Sequence, residues 1–192
     1  MGRTLAFDRD TAVRAAREVF WHFGYAEASL PALEEATGLS RSSIYNSFGS
    51  KRGLFDAAVQ SYLNEVIRPR LHPLQQAPVQ RGALLEYLDG LRDAFSRAAG
   101  PPGCLLVNTA GTPLAADNEV ARVITDYRIE LRTAIGNGVS AYLAGADADV
   151  ERLADAVTDL VIAAFALVRV APDVATHTLV TARETITSEQ SG

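Results

Sequence analysis

The stretch ATGLSRSSIYNSFGSK, residues 36–51, surrounds a few evenly spaced apolar residues with hydroxyl, amide and basic side chains. Gly38 is placed to end one short helix, and the side chain of Ser40 can cap the next. Ile44 and Phe48 lie four residues apart, so both can anchor that second helix from one side. Two short helices joined by a tight glycine turn are typical of a helix-turn-helix, whose second helix enters the major groove of DNA.

Apolar residues recur at helical spacing on both sides of this stretch. We predict helices over 8–23, 29–37, 40–47 and 51–68, a proline-containing link over 68–78, and further helices over 79–99, 104–110, 118–144, 148–170 and 172–188. The predicted fold class is all-α, with about nine helices. An N-terminal three-helix bundle that contains the helix-turn-helix, residues 1–52, precedes a larger helical domain, residues 53–192, and helix four links the two.

Composition narrows the classes of protein. The 192 residues include one cysteine, Cys104, which excludes an internal disulfide framework, and no Cys/His cluster suits zinc. The longest apolar run, LVIAAFALV at 160–168, is far below the roughly 18 residues of a membrane-spanning helix. Charged residues interrupt the N-terminus, so no signal peptide is expected. We expect a cytoplasmic protein without metal, cofactor or membrane contact.

Charge is distributed unevenly along the chain. The net charge is -5, yet residues 1–52 carry seven basic and six acidic side chains, whereas residues 53–192 carry eleven and seventeen. An acidic C-terminal part would repel DNA non-specifically and restrict binding to one face of the protein.

A long segment resembles a known family. Residues 15–63, AAREVFWHFGYAEASLPALEEATGLSRSSIYNSFGSKRGLFDAAVQSYL, are similar to the TetR family of bacterial transcriptional regulators, with FGY, ATGLS, SSIYNSFGSK and LF in the family's order. Farther along, only the helical layout and GCLLVNTA, residues 103–110, look familiar. The resemblance implies a ligand-responsive, sequence-specific DNA-binding regulator, and by family habit a repressor. The operator, the regulated genes and the effector do not follow from it.

The resemblance also implies roles for individual residues. By position, the base-reading surface falls on Arg41, Ser42, Ser43 and Asn46, and the phosphate contacts fall on Tyr45 and Lys51. Thr37 matches a further backbone contact. The side-chain chemistry agrees, since arginine pairs bidentately with guanine, and tyrosine, asparagine and lysine suit phosphate oxygens. Arg3 is the only cation of a short N-terminal arm, which argues against a minor-groove contact.

One recognition helix contacts few base pairs, so specific binding calls for a homodimer on palindromic DNA. The last two predicted helices are the best candidates for the interface, because the apolar face of the first is too wide for one contact. The predicted interface residues are Leu153, Val157, Leu160, Val161, Ala164, Leu167 and Val168. The alternative is that these residues form only the core of the monomer.

The resemblance further implies a pocket for a small apolar or aromatic effector among the middle helices. Its predicted wall comprises Tyr62, Tyr87, Leu91, Phe95, Cys104, Asn108, Tyr127 and Phe165. Ordinary core packing is the alternative for each of them. Helix four carries both Lys51 and Tyr62, so a ligand that tilts it would move the recognition helices off a half-site spacing of about 34 Å.

Cys104 supports a separate hypothesis. It opens a helical segment, and a helix N-terminus lowers the pKa of an accessible thiol, so Cys104 could sense electrophiles or oxidants. The alternative is a small buried apolar side chain, which is how free cysteine usually behaves.

Two other classes of function compete with a DNA-binding regulator. GNGVSA, residues 136–141, matches a loose dinucleotide-binding pattern, but that pattern requires a preceding strand, and residues 119–135 have helical spacing. We therefore predict that the protein is not an enzyme and attribute Gly136 and Gly138 to a kink or to close packing. The second alternative is a helical dimeric ligand- or partner-binding module without DNA binding.

Overall fold

The computed structural model describes residues 8–97 and 103–189, and Arg3 lies outside them. Regular structure in these residues is helical throughout, which confirms the predicted all-α class. The helices are α1 (Arg9–Glu27), α2 (Leu30–Thr37), α3 (Arg41–Phe48), α4 (Lys51–Tyr62), α5 (Arg68–Gln75), α6 (Ala83–Arg97), α7 (Leu105–Ala110), α8 (Asn118–Tyr142), α9 (Val150–Leu167) and α10 (Pro172–Ser188). A π-helical turn, Leu63–Ile67, joins α4 to α5, and a 3-10 turn, Pro113–Ala116, precedes α8.

Side-chain caps define where the first four helices begin. The Asp8 carboxylate accepts a hydrogen bond from the Asp10 amide at 3.1 Å. The hydroxyls of Ser29, Ser40 and Ser50 accept amide bonds of 3.0–3.2 Å in the first turns of α2, α3 and α4. Each cap satisfies an amide that lacks a partner in its own helix, so local sequence chemistry sets these starts.

The end of α1 differs from the prediction. Gly24 was expected to stop the helix, and it does leave helical geometry, with φ 79° and ψ 168°. Helical structure then resumes and extends to Glu27, where the Ala28 amide donates to the Gly24 carbonyl at 3.1 Å. Glycine adopts this positive φ without steric cost, so Gly24 produces a kink in α1.

Aromatic rings form the core of the first compact unit, Met1–Ile67, in which α1 packs on α2 and α4. Phe20 on α1 and Phe55 on α4 meet edge to face with centroids 5.2 Å apart, and Tyr25 meets the same Phe55 ring at 5.2 Å. Trp21 contacts Tyr62 at 4.9 Å. Such pairs add to the stabilisation that comes from the buried area alone, and they hold α4 against α1.

The compact units divide the chain later than the predicted domain boundary at residue 52. The first unit ends at Ile67 and the second begins at Arg68, because the apolar face of α4 packs within the first unit. The proline-containing link was predicted incorrectly, since Arg68–Gln75 forms α5. Pro73 lies inside this helix, and Leu71 and Leu74 are buried.

In the second unit, α9 packs on α10 and α8, and α6 packs on α10. The GNGVSA segment lies inside α8, and an added Cβ on Gly138 would come within 2.8 Å of Leu84 and 2.9 Å of Leu74. The prediction of close packing is therefore confirmed at Gly138. The segment follows helical residues of α8, which is the wrong context for a dinucleotide-binding loop.

Candidate DNA-binding site

The turn between α2 and α3 has the geometry of a helix-turn-helix. Gly38 ends α2 in the left-handed conformation, with φ 67°, and its amide donates to the Glu34 carbonyl at 2.9 Å. Leu39 turns inward and is largely buried, and Ser40 then caps α3. The Thr37 hydroxyl donates to the Leu33 carbonyl at 2.6 Å and accepts from the Leu39 amide at 3.2 Å. Thr37, predicted to contact the DNA backbone, thus also stabilises the turn.

Helix α3 presents a polar face on an apolar anchor. Ile44 is fully buried, as predicted. Arg41, Ser42, Tyr45 and Asn46 are exposed, whereas Ser43, Ser47 and Phe48 are half-buried. The structure therefore brings four of the predicted DNA contacts onto one short, accessible helix.

Three serine hydroxyls order the start of α3. The Ser40 oxygen lies 2.9 Å from the Ser42 hydroxyl and 3.0 Å from the Ser43 hydroxyl, and it accepts from the Ser43 amide at 3.2 Å. The Glu34 carboxylate accepts from the backbone amide of Arg41 and so ties α2 to α3. The backbone that carries the predicted base-reading residues is held in place by these bonds before DNA arrives.

Two arginines on the surface of the first unit are held over aromatic rings. The Arg41 guanidinium lies 5.7 Å from the centre of the Tyr45 ring, and the Arg9 guanidinium lies 4.9 Å from that of Phe48. Cation–π attraction is worth about 0.5–1 kcal/mol at exposed sites, so DNA can redirect these side chains at low cost. Sequence reasoning missed Arg9, because no local spacing relates the start of α1 to the end of α3.

Lys51, the predicted anion site, stands at the first position of α4 but points toward α1. Its ammonium lies 4.7 Å from the centre of the Tyr25 ring and donates to the Ala26 carbonyl at 3.4 Å. Burial lowers the pKa of Lys51, while the nearby Glu27 carboxylate opposes that shift. A phosphate at the start of α4 would compete with these weak contacts for the ammonium. The role of Tyr25 in holding Lys51 was not predicted.

Comparisons with known proteins agree with this geometry. The family model described as bacterial regulatory proteins, tetR family, matches residues 12–58, which contain α2, the turn and α3. The uncharacterized HTH-type transcriptional regulator YezE of Bacillus subtilis is 33% identical over 163 residues, 80% of this chain and 82% of that protein. The chain belongs to the TetR family. It is a DNA-binding transcriptional regulator.

Two further proteins similar to this TetR-family chain are also transcriptional regulators. The HTH-type transcriptional repressor ComR of Escherichia coli is 31% identical over 125 residues, which span 64% of this chain and 59% of ComR. A solved structure of the TetR-family regulator CifR, a cysteine mutant complexed with 26 bp double-strand operator DNA, is 33% identical with a TM-score of 0.73. It covers 97% of this chain and 99% of the CifR chain.

The residues predicted to line an effector pocket are dispersed in this TetR-family regulator. Tyr87 and Leu91 line an open groove of about 320 Å³ between α5 and α6. The remaining predicted residues pack elsewhere. Phe95 meets Phe165 edge to face at 5.6 Å, and Cys104 contacts Tyr127. Asn108 is on α7, and Tyr62 lies against Trp21 in the first unit. Periodicity places such residues on inward faces but does not show which faces enclose space.

The thiol of Cys104 is fully buried. It stands at the start of α7 without capping the helix, and its Sγ donates a long hydrogen bond of 3.7 Å to the Tyr127 hydroxyl. The sensor hypothesis requires an accessible thiol. In this structure Cys104 instead has the burial of an ordinary small apolar side chain.

Most of the apolar face predicted for dimerisation is inside the protomer. The side chains of Leu153, Val157, Val161, Ala164 and Val168 are at most 1% exposed. Only Leu160 and Leu167 are half-buried and reach the surface. For the five buried residues the structure favours the alternative, core packing within the protomer, because α9 is apolar over most of its circumference and its sides look alike in sequence.

The described residues contain no group of three or more His, Cys, Asp or Glu side chains arranged to hold a metal ion. Among their helices, none is long and apolar enough to cross a membrane.

Proposed function

We propose that this TetR-family regulator is a repressor that binds a palindromic operator as a homodimer. Arg41, Ser42 and Asn46 read base edges in the major groove, while Tyr45 and Lys51 contact phosphates. The observation that carries the proposal is the exposed polar face of α3, held by the buried Ile44 and an ordered N-terminus. As a DNA-binding regulator, the protein acts in the cytoplasm.

Ser43 has a smaller part in base reading than the resemblance implied. Its side chain is half-buried, and its hydroxyl is already 3.0 Å from that of Ser40. Ser42 is exposed and bonded to the same oxygen at 2.9 Å, so it can exchange that bond for one to a base. Serine can donate or accept at several base edges, which makes Arg41 and Asn46 the more discriminating contacts.

Dimerisation would use the solvent-facing sides of α9 and α10. Leu160 and Leu167 are half-buried on α9, Val170 directly after it is 80% exposed, and Val174 on α10 is 52% exposed. Exposed large apolar side chains on neighbouring elements are typical of an interface. A two-fold dimer is the commonest oligomer and would place two α3 helices on one palindrome.

Repression would be relieved by a small effector that binds the second unit and changes the separation of the two α3 helices. Tyr62 was expected to connect α4 to the ligand, but it packs against Trp21 within the first unit. The groove between α5 and α6 is the better candidate site, since it is the described cavity of the second unit that contains two predicted pocket residues.

The test of DNA binding is selection from a random duplex library at near-physiological salt, followed by sequencing of the retained duplexes. We expect a palindrome to be enriched by the wild-type protein. Arg41→Ala should relax preference at one base pair of each half-site, whereas Arg97→Ala, a matched loss of charge on α6, should select the parent sequence. A folded dimer that enriches no sequence would favour a ligand- or partner-binding module instead.

A further inference from the structure

The groove between α5 and α6 has an apolar body with small side chains on one wall. Pro69 and Pro73 project from α5, and Ala83, Gly90, Leu91 and Ala94 line it from α6. A Cβ added to Gly90 would meet no atom within 4 Å, so the wall at this point is open space. The volume of about 320 Å³ falls at the lower end of ligand-binding pockets.

Arg70 supplies an uncompensated positive charge to this groove. It lines the groove from α5, and no carboxylate among the described residues forms an ion pair with it. Neighbouring arginines differ, since Arg68 pairs with Glu130 at 3.2 Å and Arg92 pairs with Asp89 at 3.2 Å. A planar guanidinium without a partner is suited to bind a carboxylate with two parallel hydrogen bonds.

Glu86 also lines the groove and does not cancel that charge. Its carboxylate is folded back toward Gly82, whose added Cβ would lie 3.7 Å from Oε1. This position is the first turn of α6, where the helix dipole and unpaired amides favour negative charge. The carboxylate therefore has a stabilising environment of its own, and Arg70 is left to meet a ligand.

Tyr87 provides a second polar group at the groove. Its hydroxyl forms no hydrogen bond to the described residues. Burial raises the pKa of Tyr87, the Cys104 thiol adds to that shift, and the charge of Arg70 opposes it. The phenol thus remains a neutral donor near Arg70 throughout the physiological range.

We propose that this groove binds a small amphipathic carboxylate, with a flat apolar body against Pro73, Gly90 and Leu91 and its carboxylate paired with Arg70 and Tyr87. A single cation matches a single negative charge, whereas a phosphate dianion would leave one charge unpaired beside Glu86. The proposal deepens the proposed function by assigning the chemical class of the effector.

The experiment measures binding of two probes to the full-length protein without DNA by isothermal titration calorimetry. Naphthalene-2-carboxylate and 2-naphthylmethanol share the apolar body and differ in the charged group. We expect the carboxylate to bind about two- to fivefold more tightly, because Arg70 is exposed and ion pairs at exposed sites are weak. Arg70→Gln should remove that preference and keep the weak binding of the alcohol, whereas Arg97→Gln, the matched control on α6, should behave as the parent.

Gly90→Leu tests the position of the apolar body, because leucine would fill the open wall while improving the helix. We expect it to lose binding of both probes and to retain the far-UV circular dichroism of the parent, and Gly90→Ala should weaken binding less. The proposal is overturned if neither probe binds, if the preference survives Arg70→Gln, or if a folded Gly90→Leu binds as the parent does.

Failure of this proposal is distinguishable from failure of the proposed function. If the protein selects an operator but binds neither probe, the proposed function stands and the assignment of the groove is wrong. If a probe binds in a way that depends on Arg70 but no operator is selected, the groove assignment stands and the proposed function is wrong.

Discussion

Replacing Gly53 with alanine would drive a methyl group into the backbone at the end of the recognition helix. The added Cβ would overlap the carbonyl oxygen of Phe48 and lie 3.2 Å from its carbonyl carbon. A Cβ atom essentially never comes within 3.0 Å of a heavy atom to which it is not bonded. The obstructing atom belongs to the backbone and cannot rotate away, so the last turn of α3 must move relative to α4.

The cost follows from two opposing effects. Overpacking lowers the free energy of unfolding by about 1–3 kcal/mol. We expect the upper end of that range here, because the backbone cannot move aside as a side chain can. Alanine in place of glycine in a helix recovers about 1 kcal/mol. The net expectation is a loss of about 2 kcal/mol, which corresponds to a lower urea midpoint by roughly 1 M for a slope of about 1–3 kcal/mol per molar.

The assay is urea unfolding followed by tryptophan fluorescence. Trp21 is the only tryptophan in the chain and contacts Tyr62 at 4.9 Å, so its emission reports on the first unit. Gly90→Ala, followed by circular dichroism, is the matched control: its Cβ meets nothing, and stability should rise by about 1 kcal/mol. A Gly53→Ala protein as stable as the parent, with unchanged operator affinity, would refute the argued contact between α3 and α4.

Three further results are expected. Arg41→Ala should cost about 1–3 kcal/mol of binding free energy at the selected operator and relax the preference for one base pair. Lys51→Ala should weaken binding to all sequences and reduce the slope of the salt dependence by about 1. Equal, sequence-independent losses from the two variants would contradict these roles. Val174→Asp would place a charge in the proposed interface and should convert the dimer to a monomer, as measured by light scattering. Ile129→Asp changes a similarly exposed residue on α8 and should leave the dimer intact. A Val174→Asp protein that remains dimeric would exclude that interface. Burial raises the pKa of Tyr87 above 10.0, so the folded chain holds the phenol proton more tightly than the unfolded chain does. The free energy of unfolding should therefore fall as pH rises above 10, and Tyr87→Phe should make that fall less steep in urea titrations. An unchanged alkaline profile in the variant would contradict this expectation.

The helices of the DNA-binding unit could be predicted because the signals that define them are local. Ser29, Ser40 and Ser50 cap their own helices, and Gly38 takes the one conformation that the turn requires. The four-residue spacing of Ile44 and Phe48 shows which side of α3 faces inward, without knowledge of the helices it packs on. The identity of the exposed polar residues on α3 could therefore be predicted, although the contacts of Arg9 with Phe48 and of Lys51 with Tyr25 could not, since each joins distant segments.

The arrangement of the second unit depends on how its helices pack against one another. The helix α9 is apolar over most of its circumference, so hydrophobic periodicity cannot choose whether Val157 or Leu160 faces the protomer core. The two prolines of α5, Pro69 and Pro73, make the sequence look like a link. The segment is helical in the structure, where its leucines are buried. The groove beside Arg70 exists because α5 meets the small residues of α6, and the space between two helices depends on how they pack, which local pattern does not encode.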